Sequence, residues 1–271
     1  MKTWDLRHYD AFFLDVDGVL VRGSQPIDGA VDALRELTSV GQVFILTNNS
    51  TRSRKQHAEQ LCSLGFSVSS NEVIASSYVI AEYLRDTYGS TVVWPIGEGG
   101  LSDELRLSGH RIASEPEQAD WVVAGMDRSI DYRKLADGLR ALIAGARFVA
   151  TNQDGTFPTP DGLKPGAGAI VGALCGMGFA PEMTVGKPAS ASYDIARAMT
   201  EVDVNRILMV GDRLETDILG GNQCGLDTLL VLTGISSESE IAESRIHPTW
   251  VADSLAALIS GEVVSGNPPL V

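Results

Sequence analysis

Four short, uninterrupted apolar runs frame this chain: AFFLDV (11–16), QVFIL (42–46), RILMV (206–210) and DTLLVL (227–232). A strand with one wet face alternates apolar and polar residues, whereas a continuous run bounded by polar residues is the pattern of a parallel strand covered on both faces. Amphipathic segments separate the runs. Val31, Leu34 and Leu37 fall on one helical face after Pro26 and Asp28, and Gly41 offers a helix stop. Buried strands alternating with helices predict an α/β fold, a Rossmann-like doubly wound parallel sheet whose ligands bind beyond the carboxyl ends of the strands.

Polar clusters stand where that geometry needs them. DVDG follows the first run, TNNST the second and GDRLETD the third, which brings Asp, Thr and Asn to one edge of the sheet. The middle of the chain has strand-like runs of its own, STVVWPIG (90–97), DWVVAGM (120–126) and RFVATN (147–152), with helical segments such as DYRKLADGLRALIAG between them. A length of 271 residues leaves room for two modest domains. The division expected is an inserted second α/β unit over 81–181 and a discontinuous core over 1–80 and 182–271.

Composition excludes several classes. A formal net charge of −14 without clustered Lys and Arg opposes nucleic-acid binding, so a phosphorylated metabolite would have to be held by local positive charge. No apolar run approaches the roughly 18 residues of a membrane span, and the opening MKTWDLRHYDAFFLDVDG lacks the apolar stretch of a secretory signal. A soluble, cytoplasmic protein with no membrane partner is expected. Cys62, Cys175 and Cys224 are far apart and form no CxxC pair, which predicts reduced, mostly buried thiols.

The chemistry starts at Asp15 and Asp17. Residues i and i+2 of an extended chain point the same way, so both carboxylates can leave a strand end toward one ligand. Two carboxylates so close repel one another unless a cation or a shared proton intervenes. Magnesium, a hard cation with oxygen ligands, would relieve them, and Asp212 and Asp217 of GDRLETD supply further oxygens. The doublet by itself is a weak signal and fits a solvated turn better. Thr47 and Asn48 can present hydroxyl, amide and backbone N–H groups to phosphoryl oxygens, or merely cap a helix. Lys187, between Gly186 and Pro188, can neutralise transferred charge or lie on an ordinary surface.

Together these residues resemble the haloacid dehalogenase superfamily of phosphotransferases, whose four motifs occur in order as DVDGV, TNN, Lys187 of VGKPAS, and GDRLETD. Thirty positions separate Asp17 from Thr47 and 140 separate Thr47 from Lys187, so a large cap has room only between the second and third motifs. That placement, with ATNQDGTFPTPDGLKPGAGA and TDILGGNQCGLDTLLVLTGIS, looks like the NagD and 4-nitrophenylphosphatase branch, which includes pyridoxal phosphate and phosphoglycolate phosphatases.

The resemblance implies roles. Asp15 would attack phosphorus and carry an aspartyl-phosphate; Asp17 would protonate the leaving group and then deprotonate water. Magnesium would be held by the Asp15 and Asp212 carboxylates and the backbone carbonyl of Asp17, with Asp217 as a further ligand or support. Thr47, Asn48 and Lys187 would hold the phosphoryl oxygens. Asp17 favours a phosphatase or a mutase, since dehalogenases of the family lack this aspartate and transport ATPases carry threonine there; the family's phosphomutases usually carry their cap between the first and second motifs, where this sequence has no room. Asp154 to Pro158 is the segment expected to choose the leaving group, and Phe157 stands where pyridoxal phosphate phosphatases carry histidine. The implied substrates are small phosphomonoesters such as sugar phosphates, nucleotides, phosphoglycolate and 4-nitrophenyl phosphate. Relatives often form homo-oligomers through the cap.

Other chemistries fit less well. A cysteine-dependent phosphatase needs Arg six positions after its nucleophile, where this chain has Val68, Pro181 and Leu230. His8, His57, His110 and His247 lie outside the motifs, and Pro188 and Pro181 break a P-loop around Lys187. GAGAIVG imitates a dinucleotide fingerprint but no strand precedes it. A phosphoaspartate receiver, or a sensor that binds a phosphometabolite without turnover, also uses strand-end aspartates; it needs neither Asp17 nor a cap.

Overall fold

The computed structural model describes residues 3–159 and 162–266, and the chain divides into two compact units. The first comprises Met1–Thr47, Ala58–Val73 and Tyr193–Val271, the second Asn48–His57 and Ile74–Ser192.

The first unit is built on a seven-stranded sheet in the order Val263–Ser265, Trp250–Ala252, Asp227–Val231, Ile207–Gly211, Ala11–Leu14, Gln42–Thr47, Val73–Ala75. The four apolar runs supply four adjacent strands of it. Ala11–Leu14 is central, with Leu14 level with Ile45 on one side and Val210 on the other, both pairings parallel. All four of its residues are buried, as a strand with helices on both faces requires. The edge strand Val263–Ser265 runs antiparallel.

Helix Ala30–Val40 covers part of the sheet with Ala30, Ala33, Leu34 and Leu37; burying a leucine stabilises such a helix by about 1.5–3 kcal/mol. Gly41 ends it in extended rather than left-handed backbone. The glycine is needed for closeness: a Cβ there would lie 2.3 Å from the carbonyl oxygen of Asp10.

The second unit carries a five-stranded, wholly parallel sheet in the order Met183–Thr184, Arg147–Ala150, Trp121–Ala124, Val92–Ile96, Arg111–Ile112. Ile96, Val122, Phe148, Ile170 and Leu174 form the heart of its core. Helix Tyr132–Ile143 occupies the DYRKLADGLRALIAG segment, and Asp131 caps it by accepting the Lys134 N–H at 2.8 Å. The GAGAIVG segment forms the start of helix Ala167–Gly176, and the expectation that no strand precedes it is corrected: GLKP is the strand Gly162–Pro165, paired antiparallel with Thr156–Thr159 in a separate two-stranded ribbon rather than in the parallel sheet.

Two further expectations need correction. The first strand stops at Leu14, before Asp15, because the Val16 carbonyl turns back to accept the N–H groups of Leu20 and Val21. Extended-chain alternation therefore does not set the directions of Asp15 and Asp17. The cysteines are free, but Cys62 and Cys175 are exposed rather than buried, each on a helix face turned from the core. Among the described residues, no helix is long and apolar enough to cross a membrane.

Candidate active site

The first sheet reverses its winding between two neighbouring strands. From Ala11–Leu14 the next strand in sequence, Gln42–Thr47, lies to one side; from Ile207–Gly211 the next, Asp227–Val231, lies to the other. Such a reversal opens a crevice at the carboxyl ends of the two strands, where doubly wound sheets bind ligands.

Asp15 directly follows one of these strands and Asp212 the other, while Asp217 lies on the helical turn Leu214–Ile218. One carboxylate oxygen from each of the three falls within 4.8 Å of the others. Asp15 is half-buried, and Asp212 and Asp217 are only 5% and 1% exposed.

Backbone contacts hold the three in place. The Asp15 N–H continues the strand pairing by donating to the Val210 carbonyl at 3.0 Å. The Asp212 carboxylate accepts the Ile235 N–H at 2.8 Å, and that of Asp217 accepts the Arg213 N–H at 3.2 Å. Gly18 and Gly234 frame Asp212: a Cβ on either would come within 2.3 Å or 1.9 Å of its Oδ2. Gly18 also has φ +83°, a conformation that side chains strain.

This donor set suits a hard divalent cation. Its ligand atoms are all carboxylate oxygens, two of the groups are buried, and like charges gathered at this distance call for a compensating positive charge. Magnesium or calcium matches oxygen donors; zinc sites draw on nitrogen and sulfur.

Asp17 occupies the turn between these elements. It is exposed, and its carboxylate lies outside the trio. The following residue, Gly18, is fixed at both backbone groups, its N–H donating to the Val21 carbonyl at 2.8 Å and its carbonyl accepting the Thr233 hydroxyl at 2.5 Å. Anchoring the N–H of a peptide also directs the carbonyl on its other side, here that of Asp17. Thr47 ends its strand and is 3% exposed.

The remaining candidates belong to the second unit, which joins three of them through one side chain. The Asn48 amide donates from Nδ2 to the Lys187 carbonyl at 3.0 Å and to Asp154 Oδ2 at 3.1 Å. Its Oδ1 accepts the Lys187 N–H at 2.8 Å. Lys187 is 4% exposed, a depth at which lysines on ordinary surfaces are not found. Phe157 lies half-buried on the hairpin, opposite Lys164. The side chain of Pro158, in the same segment, lies outside the described residues.

His57 supports the loop after Asn48. Its Nε2–H donates to the Asn49 carbonyl at 3.0 Å. Burial pushes the imidazole down to about 4, against the opposing pull of that hydrogen bond, so the ring is neutral near pH 7.

Several supporting residues carry no motif. Asn152 and Ser76 both donate to the Asn48 carbonyl at 2.7 Å, and the Gly234–Ser236 loop wraps Asp212. That loop closes the TDILGGNQCGLDTLLVLTGIS stretch that carries part of the resemblance, but the sequence assigns it no role.

Comparison with known proteins agrees with the motifs. A haloacid dehalogenase-like hydrolase family model matches residues 12–111, and a HAD-hydrolase-like model matches 184–258. The chain is 35% identical to 5'-nucleotidase YutF of Bacillus subtilis over 94% of its own length and 99% of that protein's. Its fold resembles the p-nitrophenyl phosphatase of Archaeoglobus fulgidus with a TM-score of 0.87 and 33% identity, covering 93% of this chain and 98% of the other. Glycerol phosphate phosphatase of Mycobacterium tuberculosis, whose structure was determined in complex with magnesium, gives a TM-score of 0.87 and 34% identity over 95% of this chain and 78% of its own. The chain belongs to the haloacid dehalogenase-like hydrolases, as a phosphatase of their NagD-like and 4-nitrophenylphosphatase-like branch.

Proposed function

We propose that this phosphatase is magnesium-dependent and hydrolyses small phosphomonoesters through an aspartyl-phosphate on Asp15. The observation that carries the proposal is the convergence of the Asp15, Asp212 and Asp217 carboxylates at the winding reversal of the first sheet. Residues 1–80 and 182–271 serve as the catalytic core and 81–181 as the cap. The packing units place 48–57, 74–80 and 182–192 with the intervening chain, so the functional boundary and the packing boundary differ.

Asp15 attacks phosphorus in line. An Oδ–P bond forms as the bond to the leaving alkoxide breaks, and Asp17 gives its proton to that oxygen. Asp17, now ionised, takes a proton from water; the water oxygen bonds to phosphorus and the Asp15 Oδ–P bond breaks, releasing phosphate. A magnesium ion bound by Asp15, Asp212, the Asp17 backbone carbonyl and, directly or in support, Asp217 would offset the repulsion between carboxylate and phosphate. Thr47, the backbone of Asn48 and the Lys187 ammonium hold the phosphoryl oxygens and stabilise charge in transfer.

Substrate range follows from leaving-group contacts, which we assign to Asp154 and Phe157. Sugar phosphates, nucleotides, phosphoglycolate, glycerol phosphate and 4-nitrophenyl phosphate form the expected class. Phosphate release should be followed over such a panel, with magnesium and with a chelator. Repeated turnover with magnesium and its loss in chelator are expected. Release of no more than one phosphate per chain would indicate a receiver or sensor, and undiminished turnover in chelator would remove the metal from the mechanism.

A further inference from the structure

The side-chain amide of Asn48 offers two N–H donors and one oxygen, and each is committed within the second unit. Its oxygen accepts the Lys187 N–H at 2.8 Å while Nδ2 donates to the Lys187 carbonyl at 3.0 Å, so the amide pairs with both backbone groups of one residue. The other Nδ2 hydrogen goes to Asp154 Oδ2 at 3.1 Å. No donor of this side chain is left over for a phosphate.

Asp154 is itself fixed at every backbone group. Its N–H donates to Asn152 Oδ1 at 3.1 Å, and its carbonyl accepts the Gly168 N–H at 2.9 Å. The Nδ2 of the same Asn152 donates to the Asn48 carbonyl at 2.7 Å. The chain also approaches too closely for a side chain at Gly186, where a Cβ would lie 2.7 Å from Asn48 Oδ1. Residues 48, 154 and 187 thus share one hydrogen-bonded unit although 106 and 139 positions separate Asn48 from its partners.

We propose that Asn48 is a positioning residue that ties Lys187 to Asp154, so that the state of the Asp154 carboxylate governs how well Lys187 holds phosphate. The inference rests on the phosphatase mechanism above, in which Lys187 binds phosphoryl oxygens and Asp154 meets the leaving group. A change at Asp154 reaches Lys187 because one amide serves both; specificity for the leaving group is then expressed in kcat as well as in KM.

Inorganic phosphate, a product that carries no leaving group, gives the decisive readout. Removing the Asp154 carboxylate takes a negative charge from the second unit, which by charge alone would tighten phosphate binding. Loss of the tie has the opposite sign: Asp154→Ala should weaken inhibition by inorganic phosphate by about fivefold, a loss of the size of one hydrogen bond. Unchanged or tighter inhibition in a folded Asp154→Ala protein would overturn the proposal.

A polarity swap supplies the second arm. Asn48→Asp sets acceptor against acceptor at Asp154 and at the Lys187 carbonyl and should lower kcat/KM for glycerol phosphate and 4-nitrophenyl phosphate by about a hundredfold. Asp154→Asn combined with it returns a donor to the contact and should recover about tenfold, a coupling that independent sites lack. A double variant whose loss equals the product of the two single losses would overturn the proposal. Thermal melting of each variant separates unfolding from displacement. Absence of turnover in the natural protein would sink the phosphatase mechanism itself, whereas normal turnover with additive losses sinks only the role of Asn48.

Discussion

The Asp15–Asp212–Asp217 trio and the Asn48–Asp154–Lys187 cluster are held by opposite means. The trio gathers like charges: strand ends carry two of its members, backbone N–H groups hold the Asp212 and Asp217 carboxylates, and side-chain-free Gly18 and Gly234 make room for Asp212. The second cluster is complementary from within, with an amide whose donors and acceptor meet matching groups on its neighbours. A site that concentrates repulsion is built to receive a compensating charge, and one that satisfies itself is built to hold a position. Substitutions in the trio should therefore act on the covalent step and cation binding, and those in the second cluster on how phosphate is held, bound and in transfer, and on selectivity.

The largest effect expected is at Asp15. Asp15→Asn keeps the shape and removes the nucleophile, which should lower kcat by on the order of a thousandfold or more in single-substrate kinetics. Comparable turnover in this variant would make the trio a binding feature only.

Lys187→Met comes next. It keeps the aliphatic stem and deletes the charge, and loss of one charged contact to the transition state should cost about a hundredfold in kcat, with weaker inhibition by phosphate. An effect on melting alone would reduce Lys187 to a packing residue.

Gly234→Ala sharpens the contrast from the other side. The added methyl collides with Asp212 Oδ2, so the magnesium concentration needed for half-maximal activity should rise about tenfold and stability should fall by about 1–3 kcal/mol. An unchanged magnesium requirement would show that Asp212 need not keep its place.

His57 gives the most pH-specific effect. The unfolded chain protonates it near its ordinary 6.5, the folded protein only near 4. Stability is therefore present in full above pH 6.5 and is lost as pH falls toward 4, with a slope of up to about 1.4 kcal/mol per pH unit. Urea unfolding between these values should show a shallower slope in His57→Gln, whose amide can still donate to the Asn49 carbonyl. Equal slopes would place the titration elsewhere.

What the chain disclosed in advance was local in nature. AFFLDV, QVFIL, RILMV and DTLLVL could be recognised as strands because continuous burial leaves an unbroken apolar run, and Asp15 and Asp212 stand at the ends of two of them. Short strands such as Arg111–Ile112 and Met183–Thr184 left no such run, since two residues have no period. The reach of Asn48 to Asp154 was equally hidden: an asparagine that caps a turn and one that joins distant loops look alike in sequence. Cys62 and Cys175 show the converse error, because cysteine's general preference for burial yields to whichever helix face it occupies.

The central claim is the covalent role of Asp15, and the most direct measurement is mass spectrometry of protein quenched in acid during turnover of 4-nitrophenyl phosphate with magnesium. A phosphate adduct on the peptide that contains Asp15, formed within the first turnover and absent from Asp15→Asn, is the predicted result. An adduct on another residue, or turnover with no adduct on any peptide when phosphate transfer outpaces release, would contradict it.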